Sequence, residues 1–145
     1  MKLLRVILGW VMAVFITVIG GSIVQTQFNL AEIASLGAAI DIGTRLATTW
    51  HDLIYFSPIF AILIAIAFAV AWPVAALLQR WFPAQRTLLF VLAGGSSVWT
   101  LLAIMNQALP VTAIAASRTP VGSLALASVG LLAGWIYSKI MHQWS

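Results

Sequence analysis

Four long apolar stretches fill most of this 145-residue chain, and nearly every charge falls between or outside them. They run from about Val6 to Val24, Pro58 to Leu78, Leu88 to Met105 and Val121 to Met141. Each holds about 18–21 residues, enough at about 1.5 Å per residue to cross a hydrocarbon core of about 30 Å. Apolar residues make up 63% of the chain and charged residues 7%. A soluble protein of this size cannot hide that much apolar surface, whereas a bilayer covers it. The expected fold is therefore an all-α membrane protein, a single domain built as a four-transmembrane-helix bundle.

The charges set its orientation. Lys2 and Arg5 precede the first span, Arg80 and Arg86 lie between the second and third, and Lys139 ends the fourth, with no acid beside any of them. Glu32, Asp41 and Asp52 all lie between the first and second spans, with Arg45 as the basic companion, and Arg118 lies between the third and fourth. The positive-inside rule then places both termini and the 79–87 link in the cytoplasm and the 25–57 and 106–120 connections outside. In a Gram-negative cell that means the inner membrane and the periplasm. Aromatic residues fit the same orientation, with Trp81 and Trp144 at the inner interface and Trp50 and Tyr55 at the outer one. The opening MKLLR and the Gly20-Gly21-Ser22 triplet also fit a secretory signal peptide, but the apolar run is long for one and is read as a retained span.

Small residues recur at helical spacing in every span. Gly9, Ala13, Thr17 and Gly21 form a ridge on the first, Gly94 and Gly95 lie in the middle of the third, and Gly130 and Gly134 form a GxxxG on the fourth. Such faces let helix backbones approach closely, the main packing device in lipid, and predict a compact bundle or a homo-oligomer seam. The 93–97 cluster, Ala-Gly-Gly-Ser-Ser, is read as packing and not as a broken transporter helix, since it holds neither proline nor charge. Pro73 should kink the second span.

The segment 25–57 is not simply membrane. Asn29 and Glu32 resemble a capping box, which predicts a short helix from Leu30 to Leu36 ended by Gly37. A second helix, 42–56, is expected with Asp41 as its N-cap, followed either by a new helix with Ser57 as N-cap and Pro58 at its first position, or by direct continuation into the second span with a bend at Pro58. It is amphipathic: Ile42, Leu46, Trp50, Leu53 and Ile54 against Arg45, Thr48, Thr49 and Asp52. The expectation is a helix near the membrane plane, its apolar side on the bundle or the headgroups, and Arg45 paired with Asp41 or Asp52.

The spans carry no interior Asp, Glu, Arg or His, which argues against proton relays and ion-coupled transport. His51 and His142 are a bilayer apart, so no bis-histidine haem site is expected, and the absence of cysteine removes thiolate metal sites and iron–sulfur clusters. The scattered basic residues suit topology and not nucleic acid. No catalytic motif, cofactor or metal site is read.

The one polar constellation is outside: Asp41, Arg45, His51 and Asp52, with Arg118 from the other outer loop. Three functions compete for it. The first is a non-catalytic accessory or scaffold subunit docking a membrane or periplasmic protein. The second is a binder of a lipid or quinone under the amphipathic helix, between Trp50, Tyr55, Phe56 and Trp99, with Arg45 or Arg118 on a polar head. The third, weakest, is an enzyme or transporter using the Arg/His/Asp group.

Overall fold

A computed structural model describes residues 1–112 and 114–143. Among these the chain is all helical: α1 (Lys2–Ser35), α2 (Ile42–Tyr55), α3 (Ser57–Leu78), α4 (Arg86–Ala108) and α5 (Pro120–Gln143), with short 3-10 turns at Pro83–Gln85 and Ala115–Arg118. Four helices are long and apolar enough to cross a membrane: α1, α3, α5, and α4 together with its preceding 3-10 turn. They run up and down, so the first residues of α1 and the last of α5 meet at one end. Lys2, Arg5, Arg80, Arg86 and Lys139 belong to that basic end, and Glu32, Asp41 and Asp52 to the other. Trp144, read above as an inner-interface residue, lies outside the described residues.

The tightest seam is α4 on α5. A Cβ on Gly94 would fall on the carbonyl oxygen of Gly130, and one on Gly134 would fall on that of Phe90. Only residues without side chains allow backbones this close, and closeness is what gives apolar helices more dispersion contact with each other than with lipid. Gly95 meets Leu131. On α1, Gly9, Ala13, Thr17 and Gly21 are all buried; Gly9 faces the Tyr137 ring and Gly21 the Phe60 ring. The core these helices enclose holds Phe60, Ile64, Phe68, Val98, Leu102 and Leu126. Trp72 stacks between Phe68 and Tyr137, with ring centroids 4.4 and 5.0 Å away.

The outer surface is apolar too. On α3, Ile59, Ile62, Ile66, Val70, Val74 and Leu77 are each at least half exposed and form a continuous stripe. A stripe like that on a soluble protein is an association liability, whereas acyl chains cover it at no cost.

Two expectations about segment 25–57 need correction. No separate helix opens at Leu30. α1 continues unbroken for 34 residues, about 50 Å, because nothing between Val24 and Ser35 breaks it: no proline or glycine intervenes. It stops where expected, at Gly37, whose φ of +99° suits glycine and whose N–H reaches the Ala34 carbonyl at 3.1 Å. Ser57 does not cap α3 either. Phe56 is itself helical and its carbonyl accepts from Phe60 N–H at 3.1 Å, so α2 passes into α3 through a single residue. Pro58 is accommodated in the first turn of α3, where its missing N–H costs least.

Candidate functional site

The polar end is assembled from α1, α2 and the 109–119 connection. Its organiser is Gln25-Thr26-Gln27, three polar residues placed by the unbroken run of α1 just past its apolar stretch. Gln25 reaches the second connection, and Thr26 and Gln27 reach α2. Gln25, 8% exposed, accepts from the Ala116 backbone N–H at 2.9 Å and pins the second connection down. The Thr26 hydroxyl, fully buried, donates to Asp52 Oδ2 at 2.6 Å and lies 2.9 Å from the Ser22 carbonyl. Gln27 takes a hydrogen bond from Arg45 Nη1 at 2.9 Å and donates to Thr49 Oγ1 at 3.2 Å.

These contacts reveal the orientation of α2. Positions 45, 49 and 52, spread over eight residues of helix, land on two consecutive residues of α1, so α2 crosses α1 and does not run beside it. The Arg45, Thr48, Thr49 and Asp52 side is half-buried against the bundle. The other side, Ile42, Leu46, Trp50 and Ile54, points away and is 77, 68, 66 and 47% exposed. The polar side is therefore engaged with the bundle and not solvated, and of the expected apolar side only Leu53 is half-buried. The reason is that α1 supplies hydrogen-bonding groups at the crossing, where unpaired carboxylate and guanidinium groups would be costly, and no apolar groove for the stripe.

The predicted ion pairs change with it. Arg45 pairs with neither aspartate. Asp41 Oδ1 instead takes the Thr44 N–H at 2.7 Å, as the N-cap of α2. Its carboxyl is held below the ordinary carboxylate range by these Thr44 hydrogen bonds. Asp52 Oδ1 lies 3.5 Å from His51 Nδ1, with His51 66% exposed and its ring beside Tyr55. Arg118 pairs with Glu32 at 2.6 Å and does not converge on His51 and Asp52. Asn106 and Ser117 bond reciprocally, Asn106 Nδ2 to the Ser117 carbonyl and Ser117 Oγ to Asn106 Oδ1, which closes this end. Trp99 is on α4, 43% exposed, and α4 packs on α3 and α5.

Among the described residues no three His, Cys, Asp or Glu gather closely enough to hold a metal ion. Two cavities of about 430 and 440 Å³ are present, one between α3 and α4 and one at the basic end, and neither is lined by an α2 residue. The residues missed in the sequence were Gln25, Thr26 and Gln27; their signal was three hydrogen-bonding side chains in a row inside an uninterrupted helix. No family model, curated protein or solved structure matches this chain.

Proposed function

We propose that this protein is a non-catalytic accessory subunit of a bacterial cytoplasmic membrane, with both termini in the cytoplasm and α2 lying on the outer face as its docking helix. The observation that carries this reading is the way α2 is mounted. Its polar side is tied to α1 by three hydrogen bonds, so its apolar stripe stays uncovered on a helix that is itself held in place. A helix that served only to join two spans would need no such fastening. The polar groups nearby are engaged in holding the fold, with Arg45, Asp52, Glu32 and Arg118 all partnered. That supports a structural role over a catalytic one. Trp50 and Tyr55 on the uncovered side are the residue types that bind well both at membrane interfaces and in protein interfaces.

The test is site-directed photocrosslinking at position 50 in the membrane of the source cell, followed by purification in mild detergent. A stoichiometric protein adduct lost when Leu46→Asp is added on the same stripe, with membrane insertion intact, is the expected result. Adducts to lipid alone would reduce α2 to a membrane-surface anchor and remove the docking role.

A further inference from the structure

The cavity at the basic end holds the most unusual chemistry in the molecule. Its walls come from all four long helices, and it has a volume of about 440 Å³, within the range of small-molecule sites. Among its lining residues are Trp10 of α1, Trp72 of α3 and Arg86 of α4. In each, a buried N–H has no hydrogen-bond partner: Nε1 of both tryptophans and Nε of Arg86. Trp72 is only 4% exposed, so bulk water does not serve it. Buried donors are nearly always satisfied, and three left open around one cavity ask for an acceptor that the chain does not provide. The acceptors at hand, the Gln79 amide and the Tyr137 hydroxyl that also line it, take none of these bonds, and the acidic side chains all belong to the opposite end.

The electrostatics specify the acceptor further. Arg86 has no ion pair among the described residues, and it opens α4, whose N-terminus has no side-chain cap and carries the positive end of the helix dipole. Arg80, Arg5 and Lys139 belong to the same end. An anion is favoured, and donors arriving from three helices suit a phosphate, which offers oxygens in several directions, better than a carboxylate. The mouth says how the ligand enters. Val6 and Ile7 of α1 are 39 and 46% exposed, and Pro73 and Ala76 of α3 are exposed opposite them, so the cavity opens sideways through apolar residues toward the region acyl chains would occupy.

We propose that this cavity binds the phosphate of an anionic lipid, with Arg86, Trp72 and Trp10 donating to the headgroup and an acyl chain leaving between α1 and α3. A zwitterionic choline lipid would bring its cation close to Arg86 and should bind less well.

Delipidated full-length protein in detergent is titrated with phosphatidylglycerol, phosphatidylcholine and inorganic phosphate and read by native mass spectrometry. The expected result is one phosphatidylglycerol per chain, bound about tenfold more tightly than phosphatidylcholine, with inorganic phosphate far weaker than either. Arg86→Gln should weaken phosphatidylglycerol about tenfold, and Trp72→Phe, which keeps a ring for Phe68 and Tyr137 to stack on, about threefold. Trp135→Phe, at an exposed residue that does not line the cavity, should change nothing. Folding of each variant is checked by circular dichroism. Equal affinity for the two lipids, or Trp72→Phe binding like the parent protein, overturns the proposal. Inorganic phosphate binding as tightly as the lipid would make the site one for a soluble anion and would likewise overturn it.

Discussion

Thr26 and Asp52 join α1 to α2 through a 2.6 Å hydrogen bond whose donor is completely buried and whose acceptor side chain is 21% exposed. With the two Gln27 bonds to Arg45 and Thr49, it fixes which side of α2 faces the bundle. Thr26→Val keeps the shape and removes the donor, leaving a carboxylate oxygen half-buried with no partner. The expected loss is about 1.5–3 kcal/mol, as for hydrogen bonds to charged groups. Hydrogen exchange should locate it: amides 42–55 lose protection while those of α4 and α5 keep theirs. Uniform loss across all helices would mean that α2 is not a separable unit.

The Arg118–Glu32 pair has similar geometry at 2.6 Å but side chains 47 and 45% exposed. Exposed ion pairs contribute about 0–1 kcal/mol. Arg118→Ala should therefore shift the melting temperature far less than Thr26→Val. A larger loss from Arg118→Ala would reverse this ranking of the two contacts.

Glycines separate packing from backbone freedom. At Gly94 a methyl group would collide with the Gly130 carbonyl, and backbone cannot step aside as a side chain can. Gly94→Ala should cost about 1–3 kcal/mol, the range seen for overpacked cores. Gly43→Ala is the control, because the nearest atom to its added carbon is an Asp41 carboxylate oxygen at 3.7 Å, and it should leave stability unchanged or slightly higher. Thermal unfolding in detergent reads both.

How far the sequence could be read depended on which physical rule applied at each point. The four apolar helices were legible because the match of length and hydropathy to a bilayer tolerates few alternatives. So was the end of α1, since Gly37 is a local signal. The orientation of α2 was not. An amphipathic pattern says that two sides differ, not which one meets the protein, and that was decided by Thr26 and Gln27, far from α2 in sequence. Asn29 and Glu32 misled because a capping box is a signal only where the chain is free to begin a helix, and here the helix was already under way. The donors of the basic-end cavity come from positions 10, 72 and 86, which periodicity within any one helix cannot bring together.

Asp41 makes α2 sensitive to acid. Its folded carboxyl lies below the reference value of 3.8, chiefly through the hydrogen bonds with Thr44. A lowered folded value means that the cap contributes fully above the unfolded value and is lost as pH falls through the folded one. Protection of the α2 amides should accordingly decline below about pH 4, the ordinary carboxylate value. Asp41→Asn still caps a helix but cannot titrate, so it should flatten the decline. An identical acid profile in that variant would assign the effect to another group.

Orientation follows from the separation of charge between the two ends. Lys2, Arg5, Arg80, Arg86 and Lys139 belong to the end that carries both termini, and Glu32, Asp41 and Asp52 to the end that carries α2. Basic residues flanking short loops resist translocation, whereas acidic ones contribute little, so the basic end should remain in the cytoplasm. The chain has no cysteine, which makes single-cysteine labelling clean. Ala38→Cys lies in the exposed turn between α1 and α2, and Gln143→Cys is exposed at the end of α5. In intact spheroplasts a membrane-impermeant maleimide should react with the cysteine at position 38 and reach the one at position 143 only after the membrane is opened. The reverse pattern would invert the protein, putting α2 on the cytoplasmic face and its docking partner in the cytoplasm.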